Sequence, residues 1–213
     1  MVALEIDPDL CRGLRRELGD RAEISNGDFL TKPLPAGPFK VLGNLPFART
    51  TDMVRKLVEA PNPPEDAWII VQREAGHRFA GSPYAGETLW SLRLKPWWHV
   101  EILERLRRTD FDPPPSVESV LLWLNRRMRP LISTGEARLY HTFIEHVFGA
   151  GGTINLATRR WLTRTQMKQL SHDLRFQPNA APSRLRFEQW LGLIRFLARQ
   201  RNDRGRYESP TSC

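Results

Sequence analysis

Phe39-Lys40-Val41-Leu42-Gly43-Asn44-Leu45-Pro46-Phe47 reads as a strand that stops in an Asn, an apolar residue, a Pro and an aromatic. Proline has no N–H for a ladder, so the strand ends at that point. The Asn44 amide oxygen and a backbone carbonyl held just before Pro46 can both accept hydrogen bonds from one exocyclic amino group. Phe47 adds a face on which the ring carrying that amine can stack. An ordinary Asn-x-Pro turn after a strand is the plain alternative, and what speaks against it lies upstream.

Two earlier strands also end in acid. Val2-Ala3-Leu4-Glu5-Ile6-Asp7 is a short apolar run closing on a carboxylate, and Ala22 to Ser25 leads through Asn26-Gly27 to Asp28-Phe29. In a parallel sheet the carboxyl ends of the strands share one edge, where ligands bind. Glu5 then suits ribose hydroxyls, Asp28 an adenine amino group, and Asn44 a substrate amine.

Up to Asn125 short apolar runs alternate with helical stretches, the mark of a βαβ series. Strands are expected near 2–6, 22–25, 39–43, 67–72, 97–104 and 117–124, and helices near 8–18, 51–60 and 84–92, with a shorter turn after Arg73. Pro8 suits a first helical position. The last two strands flank Pro113-Pro114-Pro115 and are expected to close the sheet in antiparallel fashion.

The chain resembles the ribosomal RNA adenine dimethyltransferases, and within them the erythromycin-resistance (Erm) branch. The resemblance runs from Val2 to about Phe196 through Leu4-Glu5-Ile6-Asp7, Gly27-Asp28-Phe29, Gly43-Asn44-Leu45-Pro46-Phe47, Val71-Gln72-Arg73-Glu74, Lys95-Pro96-Trp97-Trp98 and Phe111-Asp112-Pro113-Pro114-Pro115-Ser116-Val117-Glu118-Ser119. It implies an α/β fold, a Rossmann-like class I S-adenosylmethionine-dependent methyltransferase sheet with a small C-terminal all-helical domain. It implies that Glu5, Ile6, Asp28, Phe29 and Asn44 bind the cofactor S-adenosylmethionine, that Asn44, Leu45, Pro46 and Phe47 are catalytic, and that Phe47 and Phe111 flank the target adenine. The family's first strand and Gly-rich turn, which cradle the methionine part of the cofactor, have no counterpart; Met1 falls where the family's second strand starts. The resemblance therefore predicts an N-terminally truncated sheet, by fragmentation or a mis-called start, with a degenerate paralogue as the other possibility.

The net charge of +8 is unevenly spread. Residues 1–128 carry 18 Lys/Arg and 18 Asp/Glu, whereas residues 129–204 carry 13 against 5. An Arg-rich excess of that kind matches phosphate recognition. Beyond Arg129-Pro130 the periodicity is helical: Gly135 to Phe148, Thr163 to Leu174, and Arg186 to Arg199, whose stripe Phe187, Trp190, Leu191, Ile194 and Leu197 lies opposite Arg195 and Arg199. Arg159, Arg160, Arg164 and Lys168 are the candidate RNA contacts. The expected layout is 1–128 catalytic, 129–204 basic and helical, and 205–213 a disordered tail.

Cys11 and Cys213 do not make a disulfide framework, His141 and His146 read as surface or half-buried side chains, and no metal-ligand spacing is present. No apolar run approaches a membrane span. The cysteine usage points to a reducing cytoplasm and no metal is expected, while the resemblance implies a monomer that uses S-adenosylmethionine to methylate the N6 amine of an adenine in 23S ribosomal RNA, before or during ribosome assembly. The outcome would be macrolide, lincosamide and streptogramin B resistance. The alternatives are a housekeeping 16S rRNA dimethyltransferase and an inactive RNA-binding fragment.

Overall fold

The computed structural model describes residues 1–207. Strands β1 (Val2–Glu5) and β2 (Glu23–Asn26) pair in parallel across helix α1 (Pro8–Leu18). Asp7 caps α1 by accepting from the Asp9 amide at 2.7 Å, with Pro8 at the first helical position as expected. Buried Cys11 on α1 packs against Ala22 and Ile24.

Strands β3 (Lys40–Asn44), β4 (Asp66–Gln72), β5 (Trp98–Leu106) and β6 (Ser119–Arg126) form a second sheet in the order β3-β4-β6-β5. The β3–β4 pair is parallel, and β6 runs antiparallel to both its neighbours. The antiparallel close expected from the sequence is present. Along β4, Ala67, Ile69 and Val71 are fully buried while Trp68 and Ile70 are half-buried, the two-residue alternation of a sheet with one covered face. Val54 and Leu57 of α2 (Thr50–Val58) and Phe79 of α3 (Arg73–Ala80) share that core.

Four expectations need correction. The strands form two sheets, not one, because no backbone ladder joins β1 or β2 to β3 among the described residues. Segment 28–37 is instead fastened to α2 and its exit by side chains. Lys56 Nζ donates to the Phe29 and Lys32 carbonyls, and Asn62 Nδ2 donates to those of Pro35, Ala36 and Gly37 at 2.8–3.1 Å. Second, a full helix, α3, stands where a short turn was expected after Arg73. Gly76 in its middle reads as a breaker but serves close packing, since a Cβ there would lie 2.4 Å from Val120 Cγ2. Third, the helix expected at 84–92 is α4 (Leu89–Leu94), because Thr88 and Ser91 form a reciprocal cap that starts it at Leu89. Fourth, the last helix outruns its expected end at Arg199.

The C-terminal part consists of α5 (Thr134–Ala150), α6 (Ile154–Ala157), α7 (Arg164–Asp173) and α8 (Phe187–Tyr207). Residues 205–207, expected as disordered tail, are thus helical; the rest of that tail lies outside the described residues. Tyr140, Phe143, Ile144, Val147, Trp190 and Leu193 make the centre of its core. Trp97 packs against both this core and that of the sheet. Among the described residues no helix is long and apolar enough to cross a membrane.

Candidate catalytic edge

The ladder between β3 and β4 extends one residue past β3, with the Leu45 amide donating to the Ile70 carbonyl at 3.1 Å. The Leu45 side chain is buried, which fixes the turn from below. Pro46 then gives its carbonyl to the Arg49 amide at 3.0 Å and the Thr50 hydroxyl at 3.2 Å, opening a 3-10 turn that leads into α2. Among the described residues neither the Asn44 amide nor the Leu45 carbonyl has a hydrogen-bond partner. Two strong acceptors, consecutive in the chain, are therefore left without partners at an exposed strand end, and half-buried Phe47 follows Pro46.

The two carboxylates are held at their own strand ends. Glu5 Oε1 accepts from the Asp7 amide at 2.9 Å, and Asn26 Nδ2 donates to the Glu5 and Ile6 carbonyls at 3.0 Å each, locking the exit of β1 onto β2. Asp28 Oδ1 accepts from the Leu30 amide at 2.8 Å. Each carboxylate keeps one oxygen without a protein partner among the described residues. Ile6, 66% exposed, presents an apolar side chain beside Glu5. Phe29 instead packs on the sheet's core, with the Lys56 ammonium 5.0 Å from its ring centroid. Burial pushes the Lys56 ammonium below its ordinary pKa, and the Asp28 charge opposes that shift. Sequence reading missed Lys56, whose partners lie 24 and 27 residues away and leave no local signal.

Phe111, half-buried, follows a 3-10 turn in the β5–β6 connection. The register sets Leu106 of β5 opposite Ser119 of β6, and Ser119 opposite Gln72 of β4. That connection therefore leaves the sheet at the edge where β3 ends in Asn44. It is pinned by Arg107 on Asp110 at 3.0 Å, by Arg108 Nε on the Pro115 carbonyl at 2.6 Å, and by the Arg73–Glu118 ion pair. Arg159, Arg160, Arg164 and Lys168 stand in the C-terminal helical part, in α7 and the segment between α6 and α7. All four are exposed and none has an ion-pair partner among the described residues. The rings of His141 and His146 lie against those of Trp97 and Trp161 respectively.

The family described as ribosomal RNA adenine dimethylase matches residues 1–199. An rRNA adenine N-6-methyltransferase of Streptomyces fradiae is 32% identical over 202 residues, covering 92% of this chain and 63% of the relative. The mycinamicin-resistance protein MyrB of Micromonospora griseorubida is 30% identical over 196 residues, covering 92% and 62%. The chain thus spans less than two thirds of the length of these relatives. The crystal structure of the 23S rRNA methyltransferase ErmE superposes with a TM-score of 0.86 at 30% identity, over 92% of this chain and 81% of that one.

Proposed function

The chain belongs to the ribosomal RNA adenine dimethylase family, and on that premise we propose that it transfers methyl groups from S-adenosylmethionine to the N6 amine of an adenine in 23S ribosomal RNA. One observation carries the reading: the Asn44 side-chain amide and the Leu45 carbonyl, consecutive at the exposed end of β3 and just ahead of Phe47 in the chain, have no hydrogen-bond partner among the described residues. The likeness to ErmE and MyrB favours the large-subunit target and, with it, macrolide, lincosamide and streptogramin B resistance.

The cofactor is judged against the chain's own donor set. The free oxygen of Glu5 suits the ribose hydroxyls, that of Asp28 suits the adenine amino group, and exposed Ile6 offers an apolar rest for the ring. These groups fit the nucleoside part of S-adenosylmethionine. Phe29, half-buried against the sheet's core and next to Asp28 in the chain, would close the same side of the cofactor site. When bound, the cofactor supplies a methyl group already activated by its sulfonium.

The chain's task is then positioning. The adenine leaves its stack, at a cost of a few kcal/mol, and recovers roughly 1–3 kcal/mol for each aromatic contact, first on Phe47 and then on Phe111. The two N6 hydrogens donate to Asn44 Oδ1 and the Leu45 carbonyl. This draws the nitrogen lone pair out of the ring and aims it at the incoming methyl. The methyl would come from the sulfonium, whose S–C bond breaks as the N–C bond forms and leaves a neutral thioether; Asn44 Oδ1 and the Leu45 carbonyl would then stabilise the positive charge on N6 until one of its protons passes to solvent. Arg159, Arg160, Arg164 and Lys168 hold phosphates of the RNA, which must be met as free or partly assembled RNA for the base to be reached. We assign the work to a monomer in the cytoplasm.

The test is methyl transfer from labelled S-adenosylmethionine to 23S and 16S RNA, run with the 213-residue chain and with a form extended upstream. Label in one 23S adenine, lost when that base is replaced by guanine, is the expected result. Label in 16S RNA alone, or in neither RNA with either form, overturns the proposal.

A further inference from the structure

About a helix length from the catalytic edge, a cleft of about 460 Å³ lies where α2, α4, the start of β5 and α5 meet. One wall is aromatic: the rings of Trp97 and His141 stack with centroids 5.1 Å apart and planes within 4°. Trp90 stands beside them, with the guanidiniums of Arg55 and Arg93 each 5.6 Å from its ring centroid. The polar groups are Arg93, bonded to Glu145 at 2.7 Å, and Glu59.

Glu59 is the informative residue. It caps the C-terminus of α2, where the helix dipole disfavours a carboxylate, and it has no cationic partner among the described residues. A carboxylate without a cationic partner, exposed at this helix end and lining a cleft that also holds aromatic rings and a guanidinium, suits a donor brought from outside. We propose that this cleft is a subsite for a guanine of single-stranded RNA. The reading rests on the RNA substrate argued above.

The chemistry selects guanine among the bases. Its Watson–Crick edge carries two adjacent donors, N1–H and the N2 amino group, which match the two oxygens of a carboxylate. Its O6 and N7 are the preferred partners of an arginine, and Arg93 has N–H groups beyond the one given to Glu145. Adenine would turn its N1 lone pair on Glu59, and inosine lacks the amino group. The Trp97 and His141 rings cover each other's facing sides, so stacking falls to the outer side of that pair, and any base would enjoy it equally. The nine residues of α2 span about 13 Å at ~1.5 Å per residue. A strand placing its target adenine on Phe47 would therefore reach the cleft after roughly four nucleotides, at ~3.4 Å each when stacked.

The test uses fluorescently labelled ten-nucleotide uridine oligomers carrying one central guanosine, inosine or adenosine, with anisotropy as the readout. Wild-type chain should bind the guanosine oligomer about tenfold more tightly than the other two. Glu59→Gln, a surface change expected to leave the thermal melt unchanged, should bring all three oligomers within about twofold while all-uridine binding stays as in wild type. Trp97→Phe, which keeps a stacking face, should preserve the guanosine preference. Equal affinities in wild type, or a preference that survives Glu59→Gln, would overturn the subsite and leave the RNA reading standing. Failure of every oligomer to bind at low salt would sink both.

Discussion

Lys95 and Glu87 form an ion pair inside the seam between the four-stranded sheet and the C-terminal helices, with the Glu87 side chain fully buried. The arrangement holds more than two charges. Ser91 donates to the same carboxylate at 2.6 Å, the Glu87 amide donates to the Ser183 carbonyl at 2.8 Å, and the Lys95 ammonium lies 5.8 Å from the Phe187 ring centroid. With the Tyr140 hydroxyl donating to the Leu92 carbonyl at 2.8 Å, these contacts fasten α4 and its flanks to the helices that carry the basic residues.

Lys95→Met should be strongly destabilising, because it leaves the Glu87 carboxylate buried without its cation. Breaking such a pair costs about 3–5 kcal/mol, against which a hydrophobic replacement of both partners is far milder. The double variant Glu87→Gln/Lys95→Met should therefore lose much less than Lys95→Met alone in urea unfolding. Equal losses would show that the cost lies in other contacts of the ammonium, such as its bond to the Ser82 carbonyl, and not in an unpaired Glu87 carboxylate.

At the catalytic edge, Asn44→Ala should cut methyl transfer by roughly a hundredfold or more, since a misplaced amine loses its alignment. RNA affinity should remain nearly intact. Phe47→Ala should be milder, and Phe47→Tyr close to neutral because the stacking face survives. The measurements are single-turnover rates beside RNA binding; parallel loss of both in Asn44→Ala would mark the residue as structural.

Removing charge from the helical part should act without sequence preference. With Arg159, Arg160 and Arg164 all changed to Ala, the slope of log affinity against log salt should become shallower by somewhat under one unit for each phosphate no longer neutralised. Cofactor affinity should not move, as these residues stand in the C-terminal helical part. A salt titration giving an unchanged slope would remove them from the RNA-binding surface.

Asp66 sets an acid limit to stability. The Asn125 amide, bonded at 2.7 Å, is the main influence holding this carboxyl below the usual range, against the opposing effect of burial; bonds from Lys40 and Trp123 add to it. Because the folded pKa lies below the unfolded one, the unfolded chain takes up the proton first as pH falls. The resulting stabilisation is complete above about pH 4 and is lost as pH drops through the folded value. Asp66→Asn should cost about 1–3 kcal/mol at neutral pH, and the gap to wild type should narrow below about pH 4. A gap constant with pH in denaturant melts would contradict this.

The sequence by itself determined most of the elements and the polar residues at the strand ends. Pro8 placed the start of α1, Pro46 stopped β3 after Asn44, and the two-residue and helical periodicities located six strands and most of the helices, since these signals act between residues close in the chain. It also singled out the Asn44 to Phe47 turn, because an Asn before an apolar residue, a proline and an aromatic has a chemical meaning readable without neighbours. Tertiary structure decided what depends on distant partners. Gly76 looks like a helix breaker until Val120 is set against it, and Lys56 is an ordinary helical lysine until segment 28–37 comes within its reach. Whether the strands form one sheet or two was likewise beyond local signals, because edge pairing depends on which strand lies alongside, and Glu59 acquires a meaning only when α4 and α5 bring aromatic rings and Arg93 to the same cleft. Local preferences are set by a residue and its near neighbours, whereas packing and pairing are set by whatever the rest of the chain brings into contact.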